Sequence, residues 1–336
     1  MILFPFEEFW TFFAGFTVFV LFLLSLDLGI FHRKIHAVSL KESTYWTLIW
    51  ISLALVFNYL LYQYCLVRFA DMPAETWALT GDASYRDAAQ RIGLEFLTGY
   101  IIEKALSVDN IFVFVIIFNY FAIPSKYQHR VLFFGIIGAL IFRAIFIALG
   151  SALIQYEAVV MIFGVFLIIT GLKIFFSSDK EMKPDENPVY RFLKKILPLT
   201  SDFVGHKFFA KENGKWLATP LFLVLMLVEC TDVVFAVDSV PAIFAITKEP
   251  FIVFTSNIFA ILGLRSLYFM LASVVDKFYL LKYALGTVLV FVGLKMVWLN
   301  HAFGDKKFPI SWSLSIIVGL IGSSIVLSFI FPKKSS

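Results

Sequence analysis

Five carboxylates lie inside stretches apolar enough to enter a bilayer. Glu103 and Asp109 share the run Glu103-Lys-Ala-Leu-Ser-Val-Asp109-Asn110-Ile-Phe. Glu229, Asp232 and Asp238 share Glu229-Cys-Thr-Asp232-Val-Val-Phe-Ala-Val-Asp238-Ser239-Val-Pro241. An intramembrane carboxylate costs roughly 2.5 to 3.5 kcal/mol on insertion scales, so each needs a partner or a function. Their neighbours Asn110, Ser107, Thr231 and Ser239 add further oxygens. An all-oxygen donor set suits hard or borderline-hard divalent cations, meaning Mn²⁺, Mg²⁺ or Ca²⁺. The histidines, at 32, 36, 129, 206 and 301, fall in loops or at span ends, which argues against a zinc or copper site in the core. Cys230 is the one soft atom nearby and reads as packing. The competing reading is internal neutralisation, with Lys104, Arg143 and Arg265 as counter-charges. These three bases leave an excess of negative charge, which a divalent cation or protons would cancel. Arg143 and Arg265 read as structural ties to the carboxylates, and Asn257, beside Thr255 and Ser256, as a hydrogen-bonding support for the shell.

The elements that must hold these residues follow from composition. The chain of 336 residues is 60% hydrophobic and 15% charged, against about 25% charged in soluble domains, which excludes a soluble two-domain enzyme. The net charge of +4 comes from basic residues clustered between apolar runs, so topology rather than nucleic acid accounts for it. Cys65 and Cys230 make no disulfide framework and no zinc spacing. Nine apolar runs of spanning length are expected, at 9–31, 44–67, 94–120, 131–154, 158–176, 217–246, 251–275, 279–299 and 310–331. The first, preceded by Met-Ile-Leu-Phe-Pro-Phe-Glu-Glu with no basic residue, reads as a retained span. Lys and Arg crowd the loops after spans 1, 3, 5 and 7 and the C-terminal tail. The other side carries Arg68, Arg86, Arg91, Lys248, Lys306 and Lys307. That asymmetry expects the N-terminus outside, the C-terminus in the cytoplasm, and 177–216 as the main cytoplasmic loop.

The chain also repeats itself. Gly164-Val-Phe-Leu-Ile-Ile-Thr-Gly-Leu-Lys173 matches Gly286-Thr-Val-Leu-Val-Phe-Val-Gly-Leu-Lys295, and the same offset carries Arg143 onto Arg265. Each copy holds three spans, 94–176 and 217–299, so the second enters the membrane from the opposite side. The expected fold is therefore a single all-α polytopic transmembrane domain over 1–336. It has helices 1 and 2 at 9–67, two inverted three-helix repeats and a last helix at 310–331. The two acidic runs fall in equivalent spans, in one of two registers. One brings Asp109 within a residue of Asp232; the other pairs Glu103 with Asp232 and Asp109 with Asp238. On an unbroken helix Asp232 and Asp238 differ by about 120° and do not share a face, whereas Glu229 and Asp232 do. Pro241 favours a kink or break beside Asp238 that would free carbonyl oxygens. Carboxylates meeting at the midplane between inverted repeats is how many transporters bind ions.

These motifs resemble a known family. Glu-x5-Asp-Asn in span 3, Glu-x-Thr-Asp-x-x-Phe-Ala-Val-Asp-Ser-Val-Pro-Ala in span 6, Thr-Ser-Asn-x-Phe-Ala-Ile-Leu-Gly-Leu-Arg-Ser-Leu-Tyr-Phe in span 7, and Asp27-Leu-Gly-Ile-Phe-His-Arg-Lys after span 1 are similar to the TerC family, its Alx-like branch in particular. The resemblance implies a multi-pass protein of the bacterial cytoplasmic (inner) membrane, within the lysine-exporter superfamily, whose members are linked to manganese efflux and, by name, to tellurium resistance. The family's acidic positions fall on Glu103, Asp109, Glu229, Asp232 and Asp238.

The expectation is a non-enzymatic exporter of manganese or another divalent cation. It would work by alternating access, with these five carboxylates and Asn110 as ligands and Lys104, Ser239, Arg143, Arg265 and Asn257 in support. Mn²⁺ is the cargo, no organic cofactor is expected, and proton exchange is a natural coupling. The alternative is a membrane accessory factor that delivers metal to, or assists assembly of, exported or membrane proteins through the basic loop 177–216. An amino-acid exporter is the weakest reading, since no spare intramembrane cation awaits a substrate carboxylate. Asp27 reads as an interfacial charge near the end of span 1.

Overall fold

The computed structural model describes residues 2–26, 39–73, 75–176, 188–212, 214–272, 278–302 and 308–331. Asp27, and residues 177–187 and 213 of the expected cytoplasmic loop, lie outside them. The helices are α1 (Phe6–Leu26), α2 (Leu40–Ala70), α3 (Glu75–Thr80), α4 (Tyr85–Tyr120), α5 (Ser125–Leu153), α6 (Glu157–Phe176) and α7 (Pro188–Ile196). An antiparallel hairpin, β1 (Phe209–Glu212) and β2 (Lys215–Ala218), turns through Gly214 at φ +79° and leads directly into α8. There follow α8 (Pro220–Phe244), α9 (Pro250–Leu262), α10 (Leu264–Leu271), α11 (Leu281–Leu294) with a π turn over Lys295–Leu299, α12 (Asn300–Ala302) and α13 (Ile310–Ile330).

The protein is an all-α polytopic membrane protein. Among the described residues, α1, α2, α5, α6, α8, α11 with its π turn, and α13 are each long and apolar enough to cross a bilayer, and α9 and α10 together pass as a bent eighth. The expected third span falls in α4, the longest helix at 36 residues, whose charges keep it out of that apolar set. Polar residues start two of the long helices. Ser39 and Ser84 cap α2 and α4 by accepting from the amides of Glu42 and Asp87, which satisfies donors a helix cannot satisfy internally.

Two expectations about broken helices are corrected. No break occurs at Pro241, since α8 continues through it to Phe244. The proline stands in the last turn, where it deprives only the Val237 carbonyl of a partner. The break falls in the seventh span, expected as a single run over 251–275. There α9 and α10 meet at Gly263 with a 42° bend. Gly263 allows the close approach: a Cβ there would stand 2.6 Å from Lys104 Nζ and 3.2 Å from Trp50 Cβ. Lys104 reaches into the bend from α4 and donates to the Ala260 carbonyl at 3.1 Å. A backbone acceptor released by the bend thus meets an ammonium donor, as buried backbone must be satisfied in lipid.

Aromatic side chains close the core around α1. Phe13 and Phe16 pack edge-on or tilted against Phe251 and Phe254, and Phe57, Phe96 and Phe259 continue the layer inward. On the other side α6 and α11 touch backbone to backbone. A Cβ at Gly171 would lie 2.5 Å from the Gly286 carbonyl oxygen, and one at Gly293 would lie 2.6 Å from that of Gly164. Small residues permit this approach, and without a hydrophobic drive between helices in lipid such packing supplies their association.

Candidate functional site

Arg143 is the centre of the polar interior. It sits on α5 and is 1% exposed. Its guanidinium reaches three other helices: Nη1 donates to Glu103 Oε1 on α4, to Asn257 Oδ1 on α9 at 2.5 Å and to Ser239 Oγ on α8 at 3.2 Å, while Nη2 donates to Asp232 Oδ1 at 3.4 Å. Planar, permanently charged and carrying five donors, guanidinium suits such a hub better than an ammonium. Glu103 and Asp232 are both buried, so the single cation offsets two anions. Asp232 Oδ2 and Glu103 Oε2 each lack a hydrogen-bond donor, leaving acceptor capacity on both carboxylates.

A cavity of about 140 Å³ adjoins this hub. Its polar wall is Glu103, Asn110, Thr170, Asp238 and Ser239, and Leu106, Ile174, Phe235, Leu285 and Leu289 complete it. Glu103 and Asn110 come from α4, Asp238 and Ser239 from α8, and Thr170 from α6. The oxygens therefore converge from three elements. Because α8 is unbroken, Asp232 and Asp238 diverge as helical geometry requires: Asp232 meets Arg143 and Asp238 meets the cavity. Ser239, one turn-pair beyond Asp232, serves both.

The remaining candidates separate. Glu229 is not in the cavity wall. Its carboxylate occupies a notch at Gly138 on α5, where any Cβ would overlap it, and its Oε2 is buried without a hydrogen bond. Asp109 belongs to α4, one residue before Asn110, and its side chain lies outside what is described. Lys104 serves the bend, and Arg265 is buried on α10. Among the described residues no three Asp, Glu, His or Cys side chains gather closely enough to hold a metal by themselves. Thr170 was not singled out from sequence, since a lone threonine in a Gly-Leu-Lys-ended span has no mark that separates it from an ordinary helix residue.

A second polar cluster, also unforeseen, closes one end of the molecule. Arg91 pairs with Asp82 at 3.0 Å and with Glu95 at 2.8 Å, and Thr247 donates to Glu95 Oε2. Glu249, just before α9, accepts the amides of Leu3 at 2.8 Å and Phe4 at 3.1 Å. Burial pushes the Glu249 carboxyl up to about 7, with a further upward push from Glu95, while the two amides and Arg91 pull it down. Charged residues at the ends of apolar runs look solvated in a sequence; a partner more than 240 residues away does not show there.

A polytopic helical membrane protein with a charge network buried between its helices is the class these features define. The chain belongs to the integral membrane protein TerC family, whose model matches residues 88–336. It is 51% identical over 323 residues to the uncharacterized membrane protein STKORF319 of Myxococcus xanthus, covering 96% of this chain and 93% of that one. It is 42% identical over 317 residues to the putative membrane-bound redox modulator Alx of Escherichia coli K12, covering 94% and 93%. An uncharacterized membrane protein of Rickettsia felis is 43% identical over 309 residues, covering 92% and 94%. No solved structure matches the chain.

Proposed function

We propose that this protein exports a divalent cation, Mn²⁺ first among candidates, through the cavity between α4 and α8 by alternating access. The observation that carries the reading is the convergence of Glu103 and Asp238 with the neutral oxygens of Asn110, Thr170 and Ser239 on one small buried space. Two carboxylates and neutral oxygens form a hard donor set for a cation that keeps part of its water shell. Asp109 is the further ligand placed nearest in sequence. Arg143 holds Glu103 and Asp232 in place, and Glu229, apart from the cavity and unpaired, is the group suited to carry a coupled proton. The protein acts as a carrier rather than an enzyme, in the bacterial inner membrane with its N-terminus outside and its C-terminus in the cytoplasm.

The architecture supports inverted repeats, with α4, α5 and α6 equivalent to α8, α9–α10 and α11 and with α4 as a ninth crossing. Under the 122-residue offset the glycine contacts exchange: Gly164 packs on Gly293 and Gly171 on Gly286, so each pair is the image of the other. Likewise α5 packs along α8 and α4 along α9, which the same exchange relates.

The test is Mn²⁺ movement into inside-out vesicles containing wild type or Asp238→Asn at matched protein level. Uptake should fall at least tenfold in the variant, with the protein still folded. Equal uptake by both would sink the site. No uptake by wild type under any imposed pH gradient would remove the export reading in favour of the accessory factor.

A further inference from the structure

A second cavity, of about 650 Å³, opens beside α7 and is lined by Tyr120, Tyr190, Arg191, Lys194 and Lys195. It is far from the carboxylates in character, with three cations and two phenols on its wall. Helix α7 divides into three faces. Tyr190 and Leu193 pack onto the core layer around α4, α5 and α8, with the Tyr190 ring tilted against Phe121, 5.6 Å away at the end of α4. Arg191, Lys194 and Lys195 line the cavity. The third face exposes Phe192 at 63% and Ile196 at 57%, four residues apart and therefore side by side on the helix.

The hairpin continues this surface. The Ala218 amide donates to the Pro198 carbonyl, and its carbonyl accepts the Thr200 amide, so β2 is tied to the segment directly after α7. Trp216 on β2 is 70% exposed between Lys215 and the start of α8. The Arg130 guanidinium, near the start of α5, lies over Phe208 at 5.0 Å. The whole group stands where α4 ends and α5 and α8 begin, which is the end of three long helices and hence the level of a bilayer surface.

We propose that α7 and this hairpin form an interfacial platform, and that the cavity seats the phosphate of an anionic phospholipid headgroup. Exposed Phe, Ile and Trp beside basic residues are placed as in helices that lie in the headgroup region, and Trp favours that depth. Phosphodiester chemistry matches the wall: guanidinium and ammonium groups neutralise it and tyrosine hydroxyls donate to it. A free phosphate would satisfy the cations but leave Phe192 and Ile196 in water, so the lipid accounts for both faces. This site does not depend on the cation-export reading.

The experiment uses the full-length protein in detergent, titrated with phosphatidylglycerol or phosphatidylcholine, with bound lipid counted by native mass spectrometry. The variants are Arg191→Gln/Lys194→Gln/Lys195→Gln and, on the other face, Phe192→Ser. With three basic residues removed from contact with anionic lipid, phosphatidylglycerol affinity should fall on the order of a hundredfold in the triple variant. It should fall less in Phe192→Ser, and phosphatidylcholine binding should stay unchanged. Equal phosphatidylglycerol binding by the triple variant overturns the proposal. So does displacement of the lipid by inorganic phosphate, which would mark a free-anion site, and so does equal wild-type affinity for both lipids. Circular dichroism and thermal melting show that each variant is folded; should the triple variant unfold, Lys194→Gln/Lys195→Gln decides by the same criterion.

Discussion

Arg143 bonds four side chains from three helices, and removing it leaves Glu103 and Asp232 buried without their shared cation. Breaking a buried pair in this way costs about 3 to 5 kcal/mol. Arg143→Met should lower the thermal midpoint of the purified protein, and Arg143→Lys should recover only part of the loss, since an ammonium cannot fork across the same partners. A melt of Arg143→Met indistinguishable from wild type would show the network to be energetically idle. Glu249 offers a pH dependence with a definite sign. Its folded carboxyl titrates near 7, above the roughly 4.3 of an unperturbed glutamate, so the folded state holds the proton more tightly. Stability is then greatest at low pH and declines as pH rises between those values. The groups that set the balance are Glu95, Arg91 and the Leu3 and Phe4 amides, with Cys65 on α2 nearby. The thermal midpoint of wild type should therefore fall from pH 5 to pH 8, and Glu249→Gln should flatten that decline. The five intramembrane acids were legible in the sequence because charge inside an apolar run is conspicuous. Arg143 was legible as a tie to them, but which groups it meets was not, because the convergence of Glu103, Asp232, Asn257 and Ser239 on it depends on how four helices pack.

At the scale of elements, the sequence marked most of the long helices by length and hydropathy, but placed the discontinuity at the wrong residue. Pro241 was the visible breaker, yet it stands in the closing turn of α8 and interrupts little. Gly263 carried no such mark in the sequence, since glycine occurs freely in membrane helices. Its role comes from Trp50 and Lys104 pressing on the bend from α2 and α4. Gly263→Val should therefore destabilise the protein by about 1 to 3 kcal/mol through overpacking, whereas Gly319→Val on α13, where nothing lies within 4 Å of a Cβ, should be neutral. Comparable melting temperatures for the two variants would remove the bend from the list of packed constraints. Lys104, a counter-charge beside Glu103, also caps the Ala260 carbonyl, so Lys104→Met should perturb α9–α10 more than a simple loss of charge would.

At the scale of the whole molecule, alternating access requires the cavity to face the two sides in turn. With Cys65 and Cys230 replaced by serine, a single cysteine introduced at Thr170 should react with a membrane-impermeant thiol reagent from one side at a time, and Mn²⁺ should change the preferred side. Reactivity insensitive to Mn²⁺ from both sides would count against a moving cavity. Most of the spans were legible because length and hydropathy are read along the chain. The platform of α7 and the hairpin was not, since nine residues with three basic side chains and two short strands resemble an ordinary loop until they are seen against the ends of α4, α5 and α8.

The crossed glycine contacts between α6 and α11 carry one more consequence. Surfaces that meet backbone to backbone through Gly164, Gly171, Gly286 and Gly293 complement each other by packing alone, which needs no connecting peptide. The expectation is that the covalent link between the two halves is not a condition of their assembly. A gene split between Phe176 and Pro188 and expressed as two polypeptides should still yield one membrane complex held by Gly164, Gly171, Gly286 and Gly293.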